Sequence, residues 1–228
     1  MLMEKEFSII VPCYNELTNL PSLVDAVKKI NAEFILVENG SRDESRDYFN
    51  TINEPNIKKV YVDVNQGYGY GIKQGLKVAT GDYIGWMHAD MQVNPSVLDE
   101  YFKETDTECF IKAKRLNRHA VEYFFTWGMG VFETILFKKR MKEVMAVPVL
   151  FDKHLIDDID ELPDDFSIDI YAYVKAVNKG YSVKYIPVEL KDRQGGKSSW
   201  NTGILSRIKQ SKKMIDASIR IKKECRYI

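Results

Sequence analysis

Cysteine is scarce in this chain, with three in 228 residues: Cys13, Cys109 and Cys225. They form no CxxC pair and no ladder of spacings, which excludes a disulfide framework and points to a reducing compartment. Neither sign of charge is in excess, since Lys+Arg and Asp+Glu balance at 33 each. That balance predicts no polyanion-binding role and no nucleic-acid partner. Long apolar runs are also missing. No stretch approaches the roughly 20 apolar residues that a membrane-spanning helix needs. The nearest candidate, Tyr123 to Phe132, is bounded by Glu122 and Glu133 and reads as a buried helix or an interfacial segment. Met1 to Glu6 lacks a basic start followed by an apolar core, so no signal peptide is expected. Together these absences predict a cytoplasmic protein, with peripheral contact at the inner face of a membrane as the furthest excursion.

What is present is the composition of an ordinary globular protein, 45% hydrophobic and 29% charged. The length suits one large domain, expected over residues 1–200, with a helical appendage over residues 201–228. Phe7 to Val11 is a short β-branched run ending at Pro12 and reads as a buried strand. Leu20, Leu23, Val24, Val27 and Ile30 then recur at helical spacing. Further strands are expected at Phe34–Val37, Lys59–Val64 and Tyr83–Met87, with helices at Asp43–Phe49, around Ile72 to Ala79, and from Asn94-Pro95. The alternation predicts an α/β fold with a mainly parallel, Rossmann-like sheet flanked by helices. Regularity falls after about Lys112. A strand around Val144 to Phe151, a helix from Ser167 to Asn178 stopped by Gly180, and a strand from Tyr181 to Leu190 follow. A polar loop, Lys191 to Ser199, precedes a last helix from Thr202.

In open parallel sheets ligands bind beyond the carboxyl ends of the strands. The polar signals cluster there: Pro12-Cys13-Tyr14-Asn15-Glu16, Glu38 to Asp43, Asn65 to Gly69, and His88-Ala89-Asp90-Met91-Gln92. The Gly67, Gly69, Gly71 cluster lacks the GxxxxGK[ST] pattern of a phosphate loop. It reads as a tight turn that lets backbone approach a ligand, with a helix starting near Tyr70.

On these residues the sequence resembles the family 2 glycosyltransferases, whose fold is called GT-A, and within them enzymes of the dolichol-phosphate mannose synthase type. The matching residues are Pro12, Tyr14, Asn15 and Glu16; Glu38, Asn39, Gly40, Ser41 and Asp43; Asn65, Gly67, Gly81, Asp82 and Tyr83; His88, Asp90 and Gln92; and Arg193, Gly196 and Ser198. They run in order from about Phe7 to Trp200. The resemblance implies an inverting, metal-assisted hexosyltransferase working in cell-surface glycan or polysaccharide synthesis. Its donor would be a UDP- or GDP-sugar and its acceptor a polyprenyl phosphate or a saccharide. Pro12, Tyr14, Glu16, Val37, Glu38, Asn39, Gly67, His88, Ala89 and Asp90 are the donor-binding candidates. Asp90, Gln92 and His88 are the candidates for holding Mn²⁺ or Mg²⁺.

Two departures from the family pattern stand out. Glu38-Asn39 replaces two aspartates, and His88 replaces the first aspartate of the metal motif. An imidazole shifts preference from Mg²⁺ toward softer ions such as Mn²⁺; alternatively His88 contacts the donor and Asp90 is the main ligand. A sugar hydroxyl acceptor needs a general base, and Asp169 stands where the family places one. A phosphate acceptor is already ionised, and Asp169 would then organise the site. Arg193 is assigned to a phosphate by its bidentate guanidinium. Arg115, Arg118, Lys197 and Ser198 are candidates for the acceptor or its phosphate. In the tail, Ile204, Ile208, Ile215 and Ile219 can share an apolar stripe among basic residues. That stripe either packs on the core, the favoured reading, or rests on an anionic membrane. A non-catalytic nucleotide-sugar binder and a nucleotidyltransferase are the competing functions.

Overall fold

The computed structural model describes residues 6–117, 120–191 and 204–224. Its centre is a sheet of seven strands in the order β3-β2-β1-β4-β6-β5-β7. These are β1 (Phe7–Cys13), β2 (Glu33–Asn39), β3 (Ile57–Val62), β4 (Tyr83–Trp86), β5 (Cys109–Arg115), β6 (Val149–Asp152) and β7 (Ser182–Val188). All neighbours pair in parallel except β6, which runs antiparallel to both β4 and β5. The first two strands are nearly continuous apolar runs because helices cover both faces of the sheet. Ile9 and Val11 face one core and Ile10 the other, as the two-residue period of a strand requires.

The helices are α1 (Leu20–Val27), α2 (Ser45–Thr51), α3 (Tyr68–Leu76), α4 (Leu98–Glu104), α5 (Ala120–Phe137), α6 (Ile168–Asn178) and α7 (Ile204–Glu224). In α1 the buried residues are Leu20, Leu23, Val24 and Val27, one stripe of a 3.6-residue period. The chain moves outward from β1 to β2 and β3, then returns to place β4 on the other side of β1. That reversal opens a crevice beyond the carboxyl ends of β1 and β4.

The second half departs from the sequence-based expectations. The strand β5 falls where regularity was expected to fail. Its run, Cys-Phe-Ile-Lys-Ala-Lys-Arg, is broken by Lys112, yet Lys112 is fully buried. Its ammonium donates to the Val144 carbonyl at 3.1 Å and lies 4.0 Å from the ring centre of Tyr173. The strand expected over Val144–Phe151 is confined to Val149–Asp152.

The glycines at the start of α3 answer a packing demand. A Cβ on Gly67 would stand 2.2 Å from the Asp164 carbonyl oxygen, and one on Gly69 would stand 2.1 Å from that of Pro163. The close approach is therefore to the Pro163–Asp165 segment. Lys73 fastens it, donating to the carbonyls of Asp160 and Leu162 and to Asp164 Oδ1 at 3.0–3.3 Å.

Of the two readings of the Tyr123–Phe132 run, burial fails: on α5 Tyr123, Phe124, Trp127, Val131 and Ile135 are exposed. Helix α7 packs on α5 and α6. It does so through Met214, Ala217, Ser218 and Ile221, spaced i, i+3, i+4, i+7. The isoleucine stripe expected to pack lies elsewhere, with Ile208 at 52% and Ile219 at 40% exposure. The buried phase is taken by Met214, two small side chains and Ile221.

Candidate active site

The loops leaving β1 and β2 are tied to each other. Asn15 adopts a positive φ of 55°, a conformation that asparagine tolerates better than most residues. Its N–H donates to Ser41 Oγ at 3.1 Å, and its Oδ1 accepts from the Arg42 N–H at 2.8 Å. The Glu16 N–H donates to Ser45 Oγ at 3.1 Å, and Glu16 Oε2 accepts from Asn19 Nδ2 at 2.5 Å. Tyr14 stays 37% exposed beside this knot. Glu38 is buried and caps the next turn, its Oε1 accepting from the Ser41 N–H at 2.7 Å. Asn39 is buried too, and its Nδ2 donates to the Gly67 carbonyl at 3.0 Å.

Three acceptors of these loops remain over, Asn19 Oδ1 among them. Glu38 Oε2 and Asn39 Oδ1 are buried without a hydrogen-bond partner, although Arg46 Nη1 lies 3.9 Å from the former. Buried acceptors normally find a donor, so each such atom calls for an explanation. Val37 and Ala89 are core residues, Pro12 pairs with Val37 inside the sheet, and none offers a polar side chain to a ligand.

Beyond β4 a cavity of about 120 Å³ is lined by His88, Asp90, Gln92 and Arg115, with Met145, Val147 and Pro148 closing its apolar side. Four positions singled out in the sequence thus meet in one place. Asp90 is buried, and its Oδ1 accepts from the Gln92 N–H at 3.1 Å. The Gln92 side-chain amide is turned toward the Lys191 carbonyl at 3.4 Å. Arg115 Nε donates to Glu143 Oε2 at 3.4 Å. Among the described residues no group of three or more His, Cys, Asp or Glu forms a complete metal cage. A carboxylate and an imidazole on one cavity wall nonetheless suit a divalent cation that completes its shell with substrate oxygens.

Asp169 opens α6 but is not on that cavity wall. It is buried, and its Oδ1 accepts from Trp86 Nε1 at 2.7 Å. Burial pushes its carboxyl above the usual range, opposed by the Trp86 hydrogen bond and by His88, Lys112 and Arg115. The same desolvation lowers Lys112 to about 7. Tyr68 completes the layer: its ring stacks on Phe166 at 4.6 Å and tilts against His88 at 5.2 Å. Its hydroxyl is buried without a hydrogen-bond partner. Burial, then the charges of Asp169 and Asp90, raise its pKa well above the usual phenol value.

Trp86, Tyr68, Phe166 and Lys112 had not been singled out in the sequence. Trp86 lies two residues before His88, and Tyr68 sits between two of the noted glycines, so both carried a signal. Arg118, Arg193, Lys197 and Ser198 lie outside the described residues.

The fold and crevice define an α/β protein with its polar groups gathered where the strand order reverses. The description "Glycosyl transferase family 2" matches residues 8–154, more than half of the chain, and the chain belongs to that family. It is 26% identical over 215 residues to an uncharacterized glycosyltransferase of Synechocystis sp., covering 87% of this chain and 65% of that one. It is 35% identical over 100 residues to the undecaprenyl-phosphate 4-deoxy-4-formamido-L-arabinose transferase of Yersinia pestis, covering 40% of this chain and 31% of that one. The chain thus spans less than two thirds of the length of these curated relatives. Glucosyl-3-phosphoglycerate synthase from Mycobacterium tuberculosis, solved with Mn²⁺, UDP-glucose and phosphoglyceric acid, superposes with a TM-score of 0.72 at 12% identity. That superposition covers 96% of this chain and 80% of the other and identifies the fold as GT-A.

Proposed function

We infer that this chain transfers a sugar from a nucleoside diphosphate to a phosphate-bearing lipid acceptor. The reading rests chiefly on a cavity lined by His88, Asp90, Gln92 and Arg115 but not by Asp169, whose carboxyl is buried and engaged by the Trp86 indole. A sugar hydroxyl needs a base that can reach it, and Asp169 is tied to the Trp86 indole. A phosphate oxygen needs none. The similarity to an undecaprenyl-phosphate transferase points the same way.

In the proposed reaction an acceptor phosphate oxygen attacks the anomeric carbon. The bond from that carbon to the diphosphate breaks, the electron pair leaves with the nucleoside diphosphate, and the anomeric configuration inverts. Glu38 Oε2 and Asn39 Oδ1 are unsatisfied acceptors suited to N–H or O–H groups of the nucleoside. The Tyr68 hydroxyl is a donor in want of an acceptor, beside Asp90 and Asp169. Arg115 offers positive charge to either phosphate. Asp90, with His88, would hold Mn²⁺ or Mg²⁺, which neutralises charge on the leaving diphosphate. Asp169 positions Trp86 and, through its charge, His88. Arg193, Lys197 and Ser198 are assigned to phosphate by their residue types alone.

The test pairs binding with turnover. Thermal shift is measured with UDP- and GDP-sugars in Mn²⁺, Mg²⁺ or chelator, followed by sugar transfer to a short polyprenyl phosphate in detergent. A metal-dependent stabilisation by one nucleotide, lost in Asp90→Ala, is expected. Lipid-linked sugar should form with that donor. A donor shift accompanied by transfer to saccharides but not to the lipid phosphate would overturn the acceptor assignment and return Asp169 to the role of base. No shift with any donor, from a folded protein, would favour a non-catalytic relative.

A further inference from the structure

The exposed face of α5 has no role in the reaction just described. Tyr123, Phe124, Trp127, Val131 and Ile135 are between 39% and 73% exposed. At 100° per residue they fall within one arc of about 120° on the outer side of the helix. From Tyr123 to Phe137 only Glu133 carries a formal charge, and it is buried on the inner side, hydrogen-bonded to Ser218 of α7. The outer arc is therefore wholly uncharged. Monomeric proteins rarely display a contiguous apolar surface of this kind without a use for it.

The surroundings of the arc say what kind of surface it fits. A groove of about 530 Å³ runs beside it, lined by Tyr123, Trp127, Val131 and Ile135 together with Lys114, Arg140, Lys142 and Glu143. The helix is followed by Lys138-Lys139-Arg140-Met141-Lys142, four bases without an acid, and all four are exposed. The neighbouring acid, Glu143, is already engaged by Arg115 at 3.4 Å. An aromatic and aliphatic face edged by bases complements a hydrocarbon layer edged by anions. Tryptophan and tyrosine favour such a boundary because their rings are apolar and their N–H or O–H is wet. No described helix is long and apolar enough to cross a membrane.

We propose that α5 is the docking face for an anionic lipid bilayer, with its aromatic arc in the interface and Lys138, Lys139, Arg140 and Lys142 among the headgroups. The Arg115–Glu143 pair gives this arrangement a purpose. Arg115 lines the cavity of His88 and Asp90, and Glu143 lines the groove under α5, so one ion pair separates the two. Docking on α5 brings the mouth of the site to the level of lipid headgroups. That purpose rests on the lipid-phosphate reading, but the docking is testable without it.

The full chain is floated with vesicles of equal parts phosphatidylglycerol and phosphatidylcholine, containing no acceptor lipid, and with phosphatidylcholine vesicles alone. Binding to the anionic vesicles is expected, weakening with salt, with a blue shift in emission that Trp127→Phe removes. Phe124→Ser combined with Trp127→Ser should lower the partition by about tenfold or more. Lys138→Gln, Lys139→Gln and Arg140→Gln together should remove the preference for anionic vesicles. These positions are exposed, and an unchanged melting midpoint verifies folding. Ile208→Ser with Ile219→Ser on α7 is the control and should bind normally. Loss of binding in that control with none in the α5 variant would overturn the proposal. So would failure to float at low salt, or equal binding to neutral vesicles. A dimer dissolved by the α5 variant, without vesicle binding, would assign the face to a second copy instead. Failure here with lipid-phosphate transfer intact in detergent leaves the reaction standing; vesicle binding without transfer leaves the docking standing.

Discussion

At the scale of single residues, two buried polar groups set measurable properties. Trp86 donates to Asp169, and removing a donor from a buried acceptor costs about 1–3 kcal/mol. Trp86→Phe should therefore lower stability by that order in urea unfolding. It should also shift the pH profile of transfer, since the hydrogen bond is the largest force holding the Asp169 carboxyl down. Lys112 is lowered from its ordinary 10.5 to about 7 by burial. The folded protein then binds fewer protons than the unfolded chain between those values, so this lysine's penalty is relieved as pH rises from 7 through 10.5 and is fully felt below 7. Lys112→Met should gain most relative to wild type at acid pH, the difference shrinking as pH is raised; melting midpoints across pH would show it. The buried lysine also explains why β5 was hard to read, because a charge in the middle of a strand signals exposure unless its carbonyl and ring partners are known.

At the scale of elements, α3 and the α5–α7 pair carry separate predictions. Gly69→Ala would drive a methyl into the Pro163 carbonyl, a backbone atom that cannot turn aside. A loss of roughly 2 kcal/mol or more is expected in denaturant unfolding. Between α5 and α7, Glu133 is raised from 4.5 to about 7 by burial, against the pull of Ser218. Its protonated form belongs to the folded state. Its contribution is complete below 4.5 and is lost as pH rises through about 7. Glu133→Gln should flatten that decline and make the protein more stable than wild type at pH about 8, measured by thermal unfolding. The α7 stripe shows the limit of pattern reading for surface helices: period alone cannot choose between the isoleucine phase and the Met214, Ala217, Ser218, Ile221 phase when the partner surface is unknown.

For the whole molecule, the first half was readable because parallel strands buried on both faces are apolar runs closed by turn residues. Every strand end there was placed to within a few residues, and His88, Asp90, Gln92 and Arg115 do line one cavity. The second half was not, for a topological reason. Strand β6 runs against its neighbours and is only four residues long, and β5 finds its partners in β6 and β7 rather than nearby in sequence. Tyr68 and Phe166 stack from positions far apart in the chain, a meeting that no local spacing announces. The close packing of the glycine turn on the Pro163–Asp165 segment was illegible for the same reason.

The clamp of Lys73 on that segment has a consequence for how the protein is made. Its bond to the Leu162 carbonyl joins positions 89 residues apart. Contacts of such long range form only after the intervening chain is available, and synthesis delivers it at about 5–20 residues per second. The turn at Gly67 and Gly69 therefore waits on the ribosome for several seconds before its counterpart emerges. On the proposed function, stalled chains ending short of residue 160 should contain β1, β2 and β3 yet fail to retain nucleotide, and chains long enough to expose Asp165 should begin to hold it. Competence for the proposed donor would then date from the arrival of that segment rather than from the completion of the strands that carry the candidate site.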